Sequence, residues 1–110
     1  MNDPEMIERH LSAFSRGDID GLMKDYAADA VILIDDQKIE GYDALRRFFD
    51  HVFSALFPGG LPIHIDSHLD VSGVVYLKWH PQSSEVPVRM GTDTIMVRDG
   101  KIVVHTVALF

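Results

Sequence analysis

The chain has 110 residues, enough for one compact domain spanning 1–110 and too few for two. Ten Lys plus Arg against seventeen Asp plus Glu give a net charge of −7 with no basic run, which excludes nucleic acid as a partner because backbone binding needs clustered cations. No cysteine is present, so there is neither a disulfide framework nor thiolate chemistry. No segment approaches the ~18 apolar residues that span a bilayer. The opening MNDPEMIERH has no basic region followed by an apolar core, so no signal peptide and no membrane partner are expected, with the cytoplasm as default compartment.

In chain order, Asp3 and Pro4 read as a helix start, a capping side chain followed by proline at the first helical position. Met6, Ile7, Leu11 and Phe14 recur at helical spacing, with His10 on the same face. Gly17 suits the stop, and Asp18 can cap a second helix carrying Leu22, Met23 and Tyr26. AVILI (30–34) reads as a short strand, DDQ as a turn and KIEG (38–41) as the return. Leu45, Phe48, Phe49, Val52, Phe53 and Leu56 then mark the strongest amphipathic helix, ended by Pro58, Gly59 and Gly60.

After residue 60 the period changes to two. Leu61, Ile63, Ile65, Leu69 and Val71 alternate with His64, Asp66, His68 and Asp70. VVYLKWH and VPVRMGTDTIMV follow, then Asp99-Gly100 as a hairpin turn, then KIVVHTVALF. Helices first and strands afterwards predict an α+β fold: two N-terminal helices, and a curved antiparallel sheet wrapped around the long helix.

The stretches SRGDIDGLMKDYAADAVILI, GYDALRRFF and GTDTIMVRDGKIVVHTVALF resemble the nuclear transport factor 2-like superfamily, with its SnoaL-like and ketosteroid isomerase branches nearest. The resemblance covers nearly the whole chain. It implies a cone-shaped α+β fold (the cystatin-like roll), a deep apolar pocket and a homodimer, and it embraces isomerases, polyketide cyclases, epoxide hydrolases and proteins without catalysis, so the fold does not fix the chemistry.

Carried over residue by residue, the pocket aspartic acid of the ketosteroid isomerases falls on Asp93. There it would donate a hydrogen bond to a developing oxyanion, kept neutral by apolar neighbours such as Ile95 and Phe110. The competing reading makes Asp93 a structural acceptor for nearby Thr or Arg side chains. The general-base position falls on Ile34, which takes no proton, so steroid isomerisation by the known arrangement is not expected. Asp36 lies just beyond with the same strand parity, so a shorter hairpin would deliver it to the pocket mouth, whereas the competing and preferred reading makes the stretch a solvated turn. The tyrosine position of the first helix falls on His10, whose imidazole suits acid–base work near neutrality or, alternatively, is a packed residue bonded to a carbonyl.

Asp93 and His10 are thus the candidate catalytic pair. The candidate ligand-binding set is Phe14, Tyr26, Ile34, Phe49, Phe53 and Ile65, with Trp79, Thr106 and Phe110. Tyr26 has a hydroxyl able to reach His10 or ligand, while Phe49 and Phe53 serve equally as core. A two-residue turn at Asp99-Gly100 pairs Asp93 with Thr106 and turns His105 to the convex face; a one-residue bulge would reverse this. The terminal ALF favours the first register.

HIDSH places His64, Asp66 and His68 on one strand face, but neighbours two apart stand ~6.8 Å from each other, so three ligands in line do not close around one ion. No metal and no cofactor is expected, and there is no phosphate-cradling glycine loop. Two function classes follow. One is binding, with acid/base conversion of isomerase, cyclase or hydrolase type, of a small hydrophobic molecule. The other is a non-catalytic homodimeric association domain with an incidental cavity. The dimer is expected through Met96, Val103, Val107 and Leu109 on the outer sheet face.

Overall fold

The structure, a computed structural model, describes residues 3–110; the capping role expected of the Asp3 side chain lies outside what it describes. Helix α1 runs Asp3–Arg16 and turns its Met6, Ile7, His10 and Ala13 inward, the face read from the sequence. It ends in a Schellman turn: the Asp18 amide bonds Ala13 O, the Gly17 amide bonds Phe14 O, and Gly17 sits at φ +67°, where a side chain would be strained. Asp18 then caps α2 (Ile19–Met23), its carboxylate accepting the Gly21 amide at 3.0 Å.

The second helix is shorter than its spacing suggested. It stops at Met23, and Tyr26 opens strand β1 (Tyr26–Ile34) instead of closing a helical face. Asp25, in the step between them, is carried into the interior with only 1% of its surface exposed. Strand β2 (Gln37–Glu40) returns from an exposed turn at Asp35 and Asp36, so Asp36 stays far from any pocket role. Helix α3 (Tyr42–His51) runs on into a π-helical turn at Val52–Leu56, closed by the Phe57 amide on Val52 O at 2.7 Å.

Strands β3 (Ile63–Val71), β4 (Val74–Pro81), β5 (Gly91–Arg98) and β6 (Lys101–Leu109) complete a six-stranded sheet ordered β2-β1-β6-β5-β4-β3. The pairing of β1 with β6 is parallel, so the sheet is mixed where an antiparallel one was expected. The class is α+β, with the helices packed on one face of the curved sheet. Ile7, Leu22, Ile32, Leu45, Leu77 and Ile95 meet there with no exposed surface. Each such side chain contributes roughly 1.5–3 kcal/mol relative to leaving it in water.

Two bulges decide what faces the helices. Between β5 and β6 the register steps from Met96–Val104 to Val97–Ile102, leaving Val103 as an extra residue. Asp93 therefore pairs with Val107, not Thr106, and Ile95 pairs with His105. His105 is buried on the inner face, while Thr106 turns outward opposite Thr94. Val107 and Leu109, expected on the outer face, turn inward. The second bulge lies between Ile65 and Ser67 on β3. It parts the HIDSH histidines: His64 pairs with His80, and His68 pairs with Leu77 on the opposite face.

The outer face keeps a different apolar set. Val71, Val74, Met96, Val104 and Val31 are cross-strand neighbours in one row over five strands, beside Leu69 opposite Tyr76. Leu69 and Val71 are 63% and 68% exposed.

Candidate active site

Between α1, α3 and the inner sheet face lies a cavity of about 100 Å³. Phe14, Ile34, Phe49, Trp79, Ile95 and Val107 contribute to its apolar walls, and the exposed Leu56 and Leu109 stand at its outer end. The charged or titratable residues among those described in its lining are His10, Asp93 and His105; no Lys or Arg lines it. Of the expected pocket residues, Tyr26 lies behind this wall, and Phe53 and Ile65 pack in the adjoining core. Thr106 and Phe110 are outside, both turned away by the bulge, and Phe110 is 65% exposed. Phe110 instead exchanges backbone hydrogen bonds with Met90 and accepts one from Arg89.

The polar side chains form one continuous chain. His10 Nδ1 meets Asp25 Oδ2 at 3.0 Å, and His10 Nε2 meets the Tyr26 hydroxyl at 3.3 Å. The same hydroxyl meets His105 Nδ1 at 2.8 Å, and His105 Nε2 meets Asp93 Oδ2 at 2.7 Å. Trp79 Nε1 donates to Asp93 Oδ1 at 3.0 Å. At the far end, the Arg9 guanidinium bonds the other oxygen of Asp25. Among the described residues no buried side-chain nitrogen or oxygen lacks a partner.

Local sequence explains each placement. His10 follows Met6 and Ile7 on the buried stripe of α1, so its ring needs polar partners inside the core. Asp25 supplies one from the step between α2 and β1, and Tyr26, the next residue, supplies the other. The Trp79 indole lies over Gly91, its cross-strand partner, so closely that a Cβ there would fall 2.2 Å from the ring. This close seat carries Nε1 over to Asp93, two residues along β5.

Burial pushes the His10 pKa below its ordinary 6.5, more than the bond to Asp25 raises it. Burial pushes Asp25 the other way, but the bonds from His10 and Arg9 outweigh it and hold its carboxyl below the usual value. Tyr26 is driven well above its ordinary 10.0 by burial, reinforced by the charges of Asp93 and Asp25, and keeps its proton.

A proton count shows what the chain can do. Two neutral imidazoles and one phenol bring three protons to the four links between Asp25 and Asp93. With each imidazole directed at its carboxylate, Tyr26 faces two acceptors with one hydrogen. One further proton on the His10–Tyr26–His105 segment fills every link. Asp93 takes a donor-only indole at one oxygen and the His105 ring at the other, so with this tautomer both its oxygens accept.

Asp25 and His105 are the site residues that sequence reasoning missed or turned away. The signal for Asp25 was indirect: an inward His10 demands an acceptor, and Asp25 continues the helical phase of Leu22 by three residues. His105 depended on the bulge at Val103, which the local sequence does not announce. Near the sheet edge, Asp66 accepts His80 Nδ1 at 2.8 Å and the His64 and His80 rings lie 5.0 Å apart, yet no group of residues among those described is arranged to hold a metal ion.

Solved structures share this architecture. A nuclear transport factor 2-like protein of unknown function from Burkholderia xenovorans superposes with a TM-score of 0.80 at 19% identity, over 96% of this chain and 80% of that one. A proposed polyketide cyclase from Sinorhizobium meliloti gives 0.79 at 19% identity, over 94% of each chain. A proposed ketosteroid isomerase from Kribbella flavida gives 0.79 at 14% identity, over 96% of this chain and 76% of that one. At such identities the likeness is one of fold. No curated protein sequence matches the chain. The model of the SnoaL-like domain matches residues 7–105, nearly the whole sequence, and the chain belongs to the SnoaL-like family.

Proposed function

We propose that this single domain binds a small apolar organic molecule in the cavity and converts it by acid/base chemistry, as an isomerase, cyclase or hydrolase would. The observation that carries this reading is the convergence of Asp93, His105 and His10 on one end of an otherwise apolar cavity, joined through Tyr26. Such a lining suits a greasy ligand fixed by few polar groups. Asp93 is the proton-accepting group, and His105 and Trp79 hold its carboxylate in place. His10, expected beside Asp93 as a second catalytic group, lines the cavity but has both ring nitrogens turned to Asp25 and Tyr26, so it supports the polar chain and leaves the ligand to Asp93. Ile34 lines the cavity at the family's base position, and steroid isomerisation by that arrangement is not part of the proposal.

The cavity volume speaks for a compact ligand. At about 100 Å³ it is near the roughly 150 Å³ of an apolar cavity that admits benzene, and below the roughly 300–1,000 Å³ of drug-sized pockets. The test is fluorescence of Trp79, the single tryptophan, which lines the cavity. Single-ring apolar compounds should quench or shift its emission, and sugars and nucleotides should leave it unchanged. No response to any member of an apolar panel would refute the pocket reading.

A second reading rests on the outer sheet face. The row Val71–Val74–Met96–Val104, with the exposed Leu69 beside it, is more apolar than a free surface of this size ordinarily bears. We propose a two-fold homodimer through this face, whether or not the cavity is catalytic. Light scattering at micromolar concentration should give twice the 12.4 kDa chain mass. A monomeric mass would sink this reading.

A further inference from the structure

The hydrogen bonds that assemble the polar wall also dictate what kind of ligand it can recognise. This inference rests on the pocket reading above and deepens it. Trp79 Nε1 is spent on Asp93, and the His105 nitrogens are spent on Asp93 and Tyr26. The His10 nitrogens are spent on Asp25 and Tyr26, and the Tyr26 hydroxyl lies between the two rings. The donors at this wall are therefore engaged inside the protein. Asp93 differs. Each of its oxygens takes one of those bonds, whereas a carboxylate accepts about four in all. The capacity left over is acceptor capacity on a group that lines the cavity, and no Lys or Arg among the described lining residues offsets its charge.

We infer that the cavity is built for a single-ring apolar molecule bearing a hydrogen-bond donor, a hydroxyl above all, and that it discriminates against the corresponding carboxylate and against the unsubstituted hydrocarbon. A phenolic or enolic O–H donates to Asp93 and leaves the existing bonds intact. A carboxylate brings only acceptors and a like charge, and would have to take a donor away from Asp93. A plain hydrocarbon fills the volume but leaves the spare acceptor capacity of the cavity-facing carboxylate with nothing in place of water, which costs affinity. Bound this way, the hydroxyl proton points at Asp93, the group proposed to accept one.

The experiment compares three probes with one ring and different heads, 4-methylphenol, toluene and 4-methylbenzoate, by titration calorimetry at neutral pH. In the native protein 4-methylphenol should bind at least about tenfold more tightly than toluene, the discrimination expected of one hydrogen bond to a charged acceptor. 4-Methylbenzoate should be the weakest of the three. In Asp93→Asn, whose amide turns one acceptor into a donor, the preference for 4-methylphenol over toluene should shrink by most of that factor. If toluene binds as well as 4-methylphenol, the cavity is real and the donor inference is overturned. If 4-methylbenzoate binds best, the wall presents donors and the inference is likewise overturned. An undiminished preference in Asp93→Asn would move recognition elsewhere and also refute it. Binding of none of the three would overturn this inference together with the pocket reading.

Discussion

The polar chain has a carboxylate at each end, and the two ends are unlike. Asp25 is sealed, with 1% of its surface exposed, and it is bonded by His10 and by the Arg9 guanidinium. Asp93 faces the cavity and is bonded by His105 and the Trp79 indole. Both are aspartates paired to histidine, yet their second partners differ in charge. A guanidinium balances Asp25 and leaves it no work but holding His10, whereas a neutral indole orients Asp93 and leaves its charge for the cavity. The same residue pair serves as scaffold at one end and as candidate chemistry at the other.

Removing each charge in turn gives the largest expected effect. Asp25→Asn leaves Arg9 and His10 around an amide in a sealed site. The bonds from Arg9 and His10 to a charged acceptor are weakened, each worth about 1.5–3 kcal/mol, although the half-exposed Arg9 recovers part of its share in water. For a domain of this size such a loss lowers the melting temperature by more than about 10 °C. Asp93→Asn should cost less, about 1–3 kcal/mol, because one displaced donor at a cavity wall has room to readjust. Thermal melts of the two variants measure this directly. A greater loss in Asp93→Asn than in Asp25→Asn would reverse the assignment of scaffold and chemistry.

Half of this comparison was legible in the sequence. Alternation and helical spacing report which residues face inward, so His10 and Trp79 could be placed on the inner surface from the pattern, while Asp93 was placed there by the family resemblance. The α+β class and the order of elements followed from the same periodicities. What the pattern does not report is an insertion in register. The extra residue at Val103 leaves the hydrophobic pattern of β6 nearly undisturbed, since apolar Ile102 and Val104 flank it, yet it turns His105 inward and Thr106 outward. Asp25 escaped for another reason. It continues the phase of Leu22 past the end of α2, into the step before β1 where the chain is no longer helical, and its burial comes from tertiary packing. Tyr26 fits the helical phase of Leu22 and Met23, and β1 claims it because its backbone pairs with Ile102 of β6.

A smaller effect is expected where the Asp93 end is assembled. Gly91→Ala puts a Cβ against the Trp79 ring, inside the closest approach that real Cβ atoms make. The indole must shift, and Nε1 leaves Asp93. Overpacking of this kind costs about 1–3 kcal/mol. The signature is local: the emission of Trp79 should change and apolar ligands should lose affinity, while the Asp25 end stays intact. Unchanged tryptophan emission in Gly91→Ala would show that the glycine does not set the indole and that the Trp79–Asp93 bond forms without it.

The mildest test uses protons in place of mutations and acts first on the sealed end. Burial holds the His10 pKa below 6.5 in the folded protein, although the bond to Asp25 works against it. An unfolded chain, with the ordinary value, binds more protons than the folded one as pH falls through 6.5. The His10 contribution to stability is therefore complete above 6.5 and is lost progressively below it. Asp25, held below its ordinary 3.8, contributes in the same sense, with stability present above that value and lost in more acid solution. Two separated declines are expected on acidification, the His10 step first. His10→Asn keeps an amide donor for Asp25 but cannot titrate. Its melting temperature should start lower than that of the native protein and vary less between about pH 7.5 and pH 5, because the missing protons are those of His10. Parallel curves for the two proteins over that interval would assign the decline to the other histidines and leave His10 without a role in the acid response.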